Sequence, residues 1–349
     1  MRLPAACAAL LVVNVALLLA GQRAGVPARA TAPAGARPVR VGLVFDVGGR
    51  GDKSFNDAAW KGVDRARREL GAEVELIEPG EGADRESGLR LLAAEGFDLV
   101  IGVGFIFSDD MYRIAGEYPA VRFADIDYAK FDQHGFVVPP ANMAALKFRE
   151  EQGSFLVGAL AALTSKSGAI GFVGGMDIPL IHKFEEGYRA GALHVRPDCR
   201  VLVGYAGVTP EAFKNPSKGK ELAMAQYGQG ADVIFHASGS TGLGVFEAAR
   251  ATSRLAIGVD ADQWDEAPGH LLTSMTKQVD VAVFEAARAV QAGTFQGGLR
   301  VFGLAEGGVD YVYDEHNRGL LPPGVRERVE ALRADIIAGR IEVPWERRR

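Results

Sequence analysis

Residues 41–56 read V-G-L-V-F-D-V-G-G-R-G-D-K-S-F-N, and this stretch decides the fold. Val41 to Phe45 is an apolar run of strand length. Asp46 ends it, a glycine-rich turn follows, and Phe55 and Asn56 open a segment in which Ala59, Val63, Ala66 and Leu70 share one helical face. A strand that enters a helix through a polar, glycine-rich turn is one unit of an open α/β sheet. Ligands bind such sheets outside the carboxyl ends of their strands, so the turn at 46–56 is expected to edge a small-molecule pocket.

The same unit recurs along the chain. Apolar runs at 41–45, 74–77, 99–103, 121–126, 145–148, 169–173, 200–204, 233–237 and 255–259 alternate with helical patterns at 56–70, 85–95, 109–117, 151–165, 181–195, 218–229, 242–251 and 279–292. Strict alternation predicts parallel sheets covered by helices on both faces. The periodicity breaks near Pro139, Pro140 and Asn142, which divides the chain into two comparable halves. The expected architecture is two doubly wound lobes joined by a hinge. Lobe 1 is expected to hold 39–142 with about 270–298, and lobe 2 143–268 with about 300–349. The chain recrosses between them near 263–276 and 297–304.

The 349 residues, 48% hydrophobic and 24% charged, suffice for two domains with real cores. The net charge of −5, with basic residues scattered except at 347–349, argues against a nucleic-acid partner. Arg2, the apolar run 3–20 and the small-x-small triplet Ala28-Arg29-Ala30 read as an export signal over 1–30, followed by a loose linker at 31–38. An uncleaved anchor is the alternative. Gln22 follows Leu19-Ala20-Gly21 where a lipid-bearing cysteine would stand, so a periplasmic or cell-envelope protein without that anchor is expected, with no membrane span in the mature chain. Of two cysteines, Cys7 lies in the leader, and Cys199 alone makes neither a disulfide nor a zinc cluster.

Polar groups collect at the strand ends. In the first half these are Asp46 with Phe55 and Asn56, then Gly104-Phe105, then Asp125 and Asp127; in the second, 174–177, 238–240, Asp260 and Lys277. Carboxylates there accept from N–H groups or from a vicinal diol, and Phe55 and Phe184 could sandwich a flat heterocycle. Each has a plainer reading. Asp46 could cap its own turn, Phe55 and Phe184 could be core residues, Lys277 could simply start a helix, Asp125 is expected to face solvent or the hinge, and Asp52 with Lys53 a surface turn. The segment 239–244 is glycine-rich but lacks dinucleotide or P-loop spacing. No metal-ligand spacing, no G-x-S-x-G elbow and no cofactor motif appears. His182 and His236 stand near the pocket loops and read as hydrogen-bonding walls.

At this point the chain resembles the basic membrane protein family of ABC-transporter substrate-binding proteins, which includes the purine-nucleoside receptors. The stretches that carry the resemblance are F-D-V-G-G-R-G-D-K-S-F-N at 45–56, E-E-Q-G-S-F-L-V-G at 150–158, G-F-V-G-G-M-D-I-P-L-I at 171–181, K-F-E-E-G-Y at 183–188, G-S-T-G-L-G-V-F at 239–246, I-G-V-D-A-D-Q at 257–263 and L-T-S-M-T-K at 272–277. The resemblance implies a type I periplasmic-binding fold and capture of a nucleoside, a purine nucleoside foremost, for import by a permease and an ATPase, with the binding protein a monomer. It implies that Phe55 and Phe184 stack on the base and that Asp46 and Asn56 meet the base edge. Asp260, Lys277 and the loop at Gly239 would hold the ribose, and Asp127 would line the cleft. The sequence departs from the family pattern at Asp57, His182 and Trp264, all beside the expected pocket. The rival classes are a nucleoside-processing enzyme on the same lobes and a ligand sensor for a membrane receptor.

Overall fold

The computed structural model describes residues 37–80 and 85–346. The expected signal peptide, most of the linker, Cys7 and Gln22 lie outside the described residues. The chain begins with β1 (Arg40–Val44), α1 (Phe55–Leu70), β2 (Glu73–Ile77), α2 (Arg85–Ala94), β3 (Leu99–Val103), α3 (Ser108–Glu117) and β4 (Arg122–Ile126). A small hairpin of β5 (Phe131–Asp132) and β6 (Gly135–Phe136) leads to β7 (Met143–Phe148). The second lobe holds α4 (Glu150–Thr164), β8 (Ala169–Met176), α5 (Pro179–Val195), β9 (Arg200–Gly207), α6 (Pro216–Gly228), β10 (Val233–Ala237), α7 (Gly242–Thr252), β11 (Leu255–Asp260) and β12 (Leu271–Lys277). The chain returns as α8 (Val279–Gln291) and β13 (Gly298–Phe302), then crosses once more to β14 (Val309–Tyr311) and α9 (Val325–Ile337).

The two sheets share one plan. The first runs β13-β7-β4-β3-β1-β2, the second β14-β12-β11-β10-β8-β9. All neighbours are parallel except β14, which pairs antiparallel with β12. This is the type I periplasmic-binding fold, two α/β lobes each built on a parallel sheet. Strands covered on both faces must be apolar on both. In the first sheet Leu43, Ile101 and Val103 join one core cluster, with Ala59 and Val63 of α1. Val44, Val100 and Phe123 join another, with Leu89 of α2 and Met111 of α3. In the second lobe α4 and α5 cross closely at glycines. A Cβ at Gly191 would lie 1.9 Å from the Phe155 carbonyl oxygen, and one at Gly187 2.2 Å from that of Glu151. Any side chain at either position would push the helices apart.

The crossings fall elsewhere than the proline break suggests. Met143–Phe148 is an interior strand of the first sheet, between β4 and β13, so the first crossing follows Phe148. Pro139 and Pro140 only precede β7. Leu271–Lys277 pairs with β11 in the second sheet rather than crossing to the first. Its alternation is masked by Thr273, Ser274 and Thr276, two of whose hydroxyls are satisfied inside: Thr273 Oγ1 donates to the Val312 carbonyl at 2.7 Å, and Ser274 Oγ accepts from the Gln263 N–H at 3.1 Å. The stretch 297–304 holds β13, which pairs with β7. Helix α9 and the short β14 had no expected counterpart.

Candidate functional site

The two sheets point their carboxyl ends at one another across a cavity of about 590 Å³, mouth included. All eight residues singled out from the sequence, Asp46, Phe55, Asn56, Asp127, Phe184, Gly239, Asp260 and Lys277, line it. The first four come from the first lobe, the others from the second. His182 and His236 do not line it.

The first-lobe edge is organised by Asp52. It is not a surface residue, being 3% exposed. Its carboxylate accepts from the N–H groups of Ser54, Asn56 and Asp57 at 2.9, 2.8 and 3.1 Å, doing the capping work at the start of α1. Asp52 also accepts from Asn56 Nδ2 at 3.1 Å, while Asn56 Oδ1 accepts from the Asp46 N–H at 2.9 Å. The Asn56 amide is thereby locked, with one Nδ2 hydrogen left over. Asp46 Oδ1 accepts from the Val47 N–H at 2.6 Å, so Asp46 does brace its own turn. A Cβ at Gly104, whose φ is +109°, would fall 2.3 Å from Asp46 Oδ2. Only glycine there leaves room for the carboxylate. Burial raises the Asp46 carboxyl to about 7, against the Val47 N–H and Arg85, which lower it.

The far wall repeats a device. Asp127 follows β4 and Asp260 ends β11, the corresponding strands of the two sheets, and both adopt a φ of 65°. Left-handed backbone at a non-glycine residue costs of order 1–3 kcal/mol and is concentrated at functional sites. The Asp127 carboxylate grips Lys277 Nζ with both oxygens at 2.7 Å. Lys277 also pairs with Glu150 at 3.0 Å, and Glu150 pairs in turn with Lys183, whose ammonium donates to the Phe148 carbonyl as well. Burial alone would lower the Lys277 value, but Asp127, Glu150 and Asp260 outweigh it and raise it, so the ammonium stays charged. Burial raises Asp260 to about 6, with Lys277 and the Ser54 hydroxyl opposing.

The rings complete the cavity. Lys277 Nζ lies 5.0 Å from the centroid of Phe55 and 5.9 Å from that of Phe184, so aromatic faces from both lobes surround one cation. Phe184 is 4% exposed and tilts against Phe235 at 6.5 Å, so it serves core and cavity together. Phe105 and Phe213 add two further rings. Phe213 lies in a 3-10 turn between β9 and α6 that the sequence reading passed over. Its signal was an aromatic just ahead of the Asn215-Pro216 helix start.

Two expectations need correction. Asp125 faces neither solvent nor hinge. It is fully buried inside β4, neither carboxyl oxygen has a hydrogen-bond partner, and burial pushes its pKa well up, only partly offset by the Ser108 hydroxyl nearby. Of the expected surface turn Asp52-Lys53, Lys53 is exposed but Asp52 is buried, as described above. His236 is a buried, hydrogen-bonded residue: it lies 3.1 Å from Gln263 Oε1 and 3.3 Å from Ser238 Oγ, and burial lowers it to about 4, so it is neutral. Cys199 is buried, and burial raises its thiol. Among the described residues no cluster of His, Cys, Asp and Glu could hold a metal ion, and no helix is long and apolar enough to cross a membrane.

Residues 39–346 match the family described as PnrA-like ABC transporter substrate-binding proteins. A Lactococcus lactis protein named an ABC transporter nucleoside-binding protein is 31% identical over 88% of this chain and 89% of its own. An uncharacterized lipoprotein of Pyrococcus abyssi is 37% identical over 79% of this chain and 69% of its own. A solved solute-binding protein of an Aeropyrum pernix ABC transporter superposes with a TM-score of 0.77, at 33% identity, covering 88% of this chain and 94% of that one.

Proposed function

Because the chain belongs to the PnrA-like family of ABC transporter substrate-binding proteins, we propose that it captures a nucleoside, with a purine nucleoside favoured, between its lobes and presents it to a permease and ATPase. One observation carries this reading: Phe55 and Phe184, from opposite lobes, flank a cavity whose charged groups are carboxylates and a single lysine. A flat heterocycle fits between the rings. Asp46 and the spare Asn56 hydrogen suit a base edge. Asp260 and Lys277 suit the hydroxyls of a sugar. The name of the Lactococcus relative points the same way. The mechanism is capture without chemistry: a ligand touching both lobes binds the closed form better and shifts the population toward it.

The carboxylates of Asp46, Asp127 and Asp260 make the cavity hostile to phosphate esters, so nucleosides are expected to bind far better than nucleotides. Calorimetric titration with nucleosides, free bases, nucleotides and sugars tests the proposal. Binding of a nucleoside with no response to its 5′-monophosphate is the expected result. Saturable binding of a sugar or amino acid with none of any nucleoside would overturn it. The enzyme reading predicts release of free base from bound nucleoside on long incubation, which chromatography of the complex would detect.

We further propose export to the periplasm or cell envelope with the leader removed and the mature protein monomeric. The Pyrococcus relative is named a lipoprotein, whereas Gln22 occupies the position where this chain would need its modified cysteine. Mass spectrometry of the mature amino terminus separates a cleaved leader from a retained anchor.

A further inference from the structure

A second cavity of about 840 Å³, mouth included, opens beside the first and shares Phe105, Asp127 and Leu180 with it. Its walls come from both lobes and from the chain's carboxyl end. Tyr128, Phe131, Phe148, Ile178 and Trp345 make it predominantly apolar. Two lysines and two carboxylates reach it. The carboxylates are already engaged, Asp127 by Lys277 and Glu150 by Lys277 and Lys183. Lys183 is saturated by Glu150, Glu151 and the Phe148 carbonyl.

Lys147 differs. It sits in β7, an interior strand whose other five residues are buried and apolar, and it occupies the register of Met143 and Ala145, which belong to a core cluster. Among the described residues no acceptor lies within hydrogen-bonding distance of its ammonium and it forms no ion pair. It rests instead against aromatic faces, 5.3 Å from the centroid of Phe131 and 5.1 Å from that of Phe136. A half-buried cation at an inward strand position is costly unless something compensates it, and two rings supply only part of that. Burial depresses its pKa, with Lys183 adding repulsion, and the more distant carboxylates of Glu150, Asp127 and Asp125 only partly oppose that. An apolar chamber with one unpaired cation at its wall is complementary to an apolar body carrying one negative charge.

We propose that this second chamber is a binding site for a small apolar monoanion, an aryl or alkyl carboxylate in chemical class, whose charge pairs with Lys147 while its body packs on Tyr128, Phe131 and Trp345. The chamber adjoins the first cavity, but Lys147, Tyr128, Phe131 and Trp345 line only the chamber, so the proposal does not depend on what the first cavity takes. Because its walls come from both lobes, an occupant would favour the closed form and tighten binding in the first cavity.

The test uses 4-phenylbutyrate as probe and 4-phenylbutanol as its neutral match, titrated calorimetrically into the full-length protein. The acid is expected to bind at least tenfold more tightly than the alcohol. Lys147→Gln is expected to erase that preference, and Ala129→Trp, which fills the chamber, to abolish binding of both, with cavity-one ligand binding retained in each variant. Absence of binding by the acid at millimolar concentration, equal binding of acid and alcohol, or undiminished binding in both variants would overturn the proposal, as would displacement of the acid by a ligand of the first cavity. The acid-to-alcohol ratio in the unmodified protein decides the matter even where a variant fails to fold.

Discussion

Ser54 Oγ donates to Asp260 Oδ2 at 2.5 Å, joining residues 206 positions apart and on opposite lobes. Ser54 has the hydroxyl free because Asp52, not Ser54, caps α1. A second bridge lies beside it, where Gln263 Nε2 donates to the Lys53 carbonyl at 2.9 Å. The lobes are thus tied by their own side chains, and Asp260 is claimed by Ser54 before any ligand contends for it.

Removing that tie should loosen the closed form. Hydrogen bonds to charged groups contribute about 1.5–3 kcal/mol. Ser54→Ala is therefore expected to enlarge the ligand-free protein's radius of gyration in small-angle scattering, with the ligand-saturated value unchanged. Superimposable ligand-free curves would show that the hydroxyl does not hold the lobes.

Stacking on an aromatic face contributes about 1–3 kcal/mol per base. Phe55→Ala is expected to weaken nucleoside binding by that amount with little change in unfolding midpoint, since Phe55 is only partly buried. Asp260→Ala should cost nucleosides more than free bases. Calorimetry reads both; equal losses for base and nucleoside would remove Asp260 from the sugar.

Acidity should move stability in a definite direction. Asp46 rises to about 7 and Asp260 to about 6, both above their ordinary 3.8. Between those values the folded protein holds more protons than the unfolded chain, so stability falls as pH rises through the window. The ligand-free protein is expected to melt at a higher temperature at pH 5.5 than at pH 7.5 from these groups, and Asp46→Asn should flatten the dependence. A slope unaltered in Asp46→Asn would contradict the assignment.

Asp125 offers a stability gain. A buried polar group without partners costs about 1–3 kcal/mol, and both its oxygens lack one. Asp125→Val, an apolar residue suited to an interior strand, is expected to raise the denaturation midpoint. The gain should be larger at pH 8 than at pH 5, because a carboxyl whose pKa is raised on folding makes the native protein lose stability as pH rises, a loss the valine removes. An equal or lower midpoint at pH 8 would count against it.

The layered architecture was legible because each βα unit is local: an apolar run, a polar turn, a helical stripe. The cavity residues were legible for the same reason, since Asp46, Asp127, Gly239 and Asp260 all sit where strands stop. What depended on distant partners was not. Ser54 and Gln263 matter only once the lobes face each other. Lys147 looks ordinary until β7 is known to be interior. Asp125 resembled its neighbour Asp127 in sequence, but two residues farther back along β4 the side chain lies under α3 instead of at the strand's mouth. The crossings were misplaced because prolines signal a loop without saying which sheet the following strand joins, and because β12 hides polar side chains that only its neighbours satisfy.

Lys277 is the last residue of β12, and the chain leaves the second lobe immediately after it. A group that lines the cavity is thereby mounted at a crossing between the lobes. Its ammonium is gripped by Asp127 of the other lobe, so neutralising it would disturb the fit of the two lobes as well as the cavity wall.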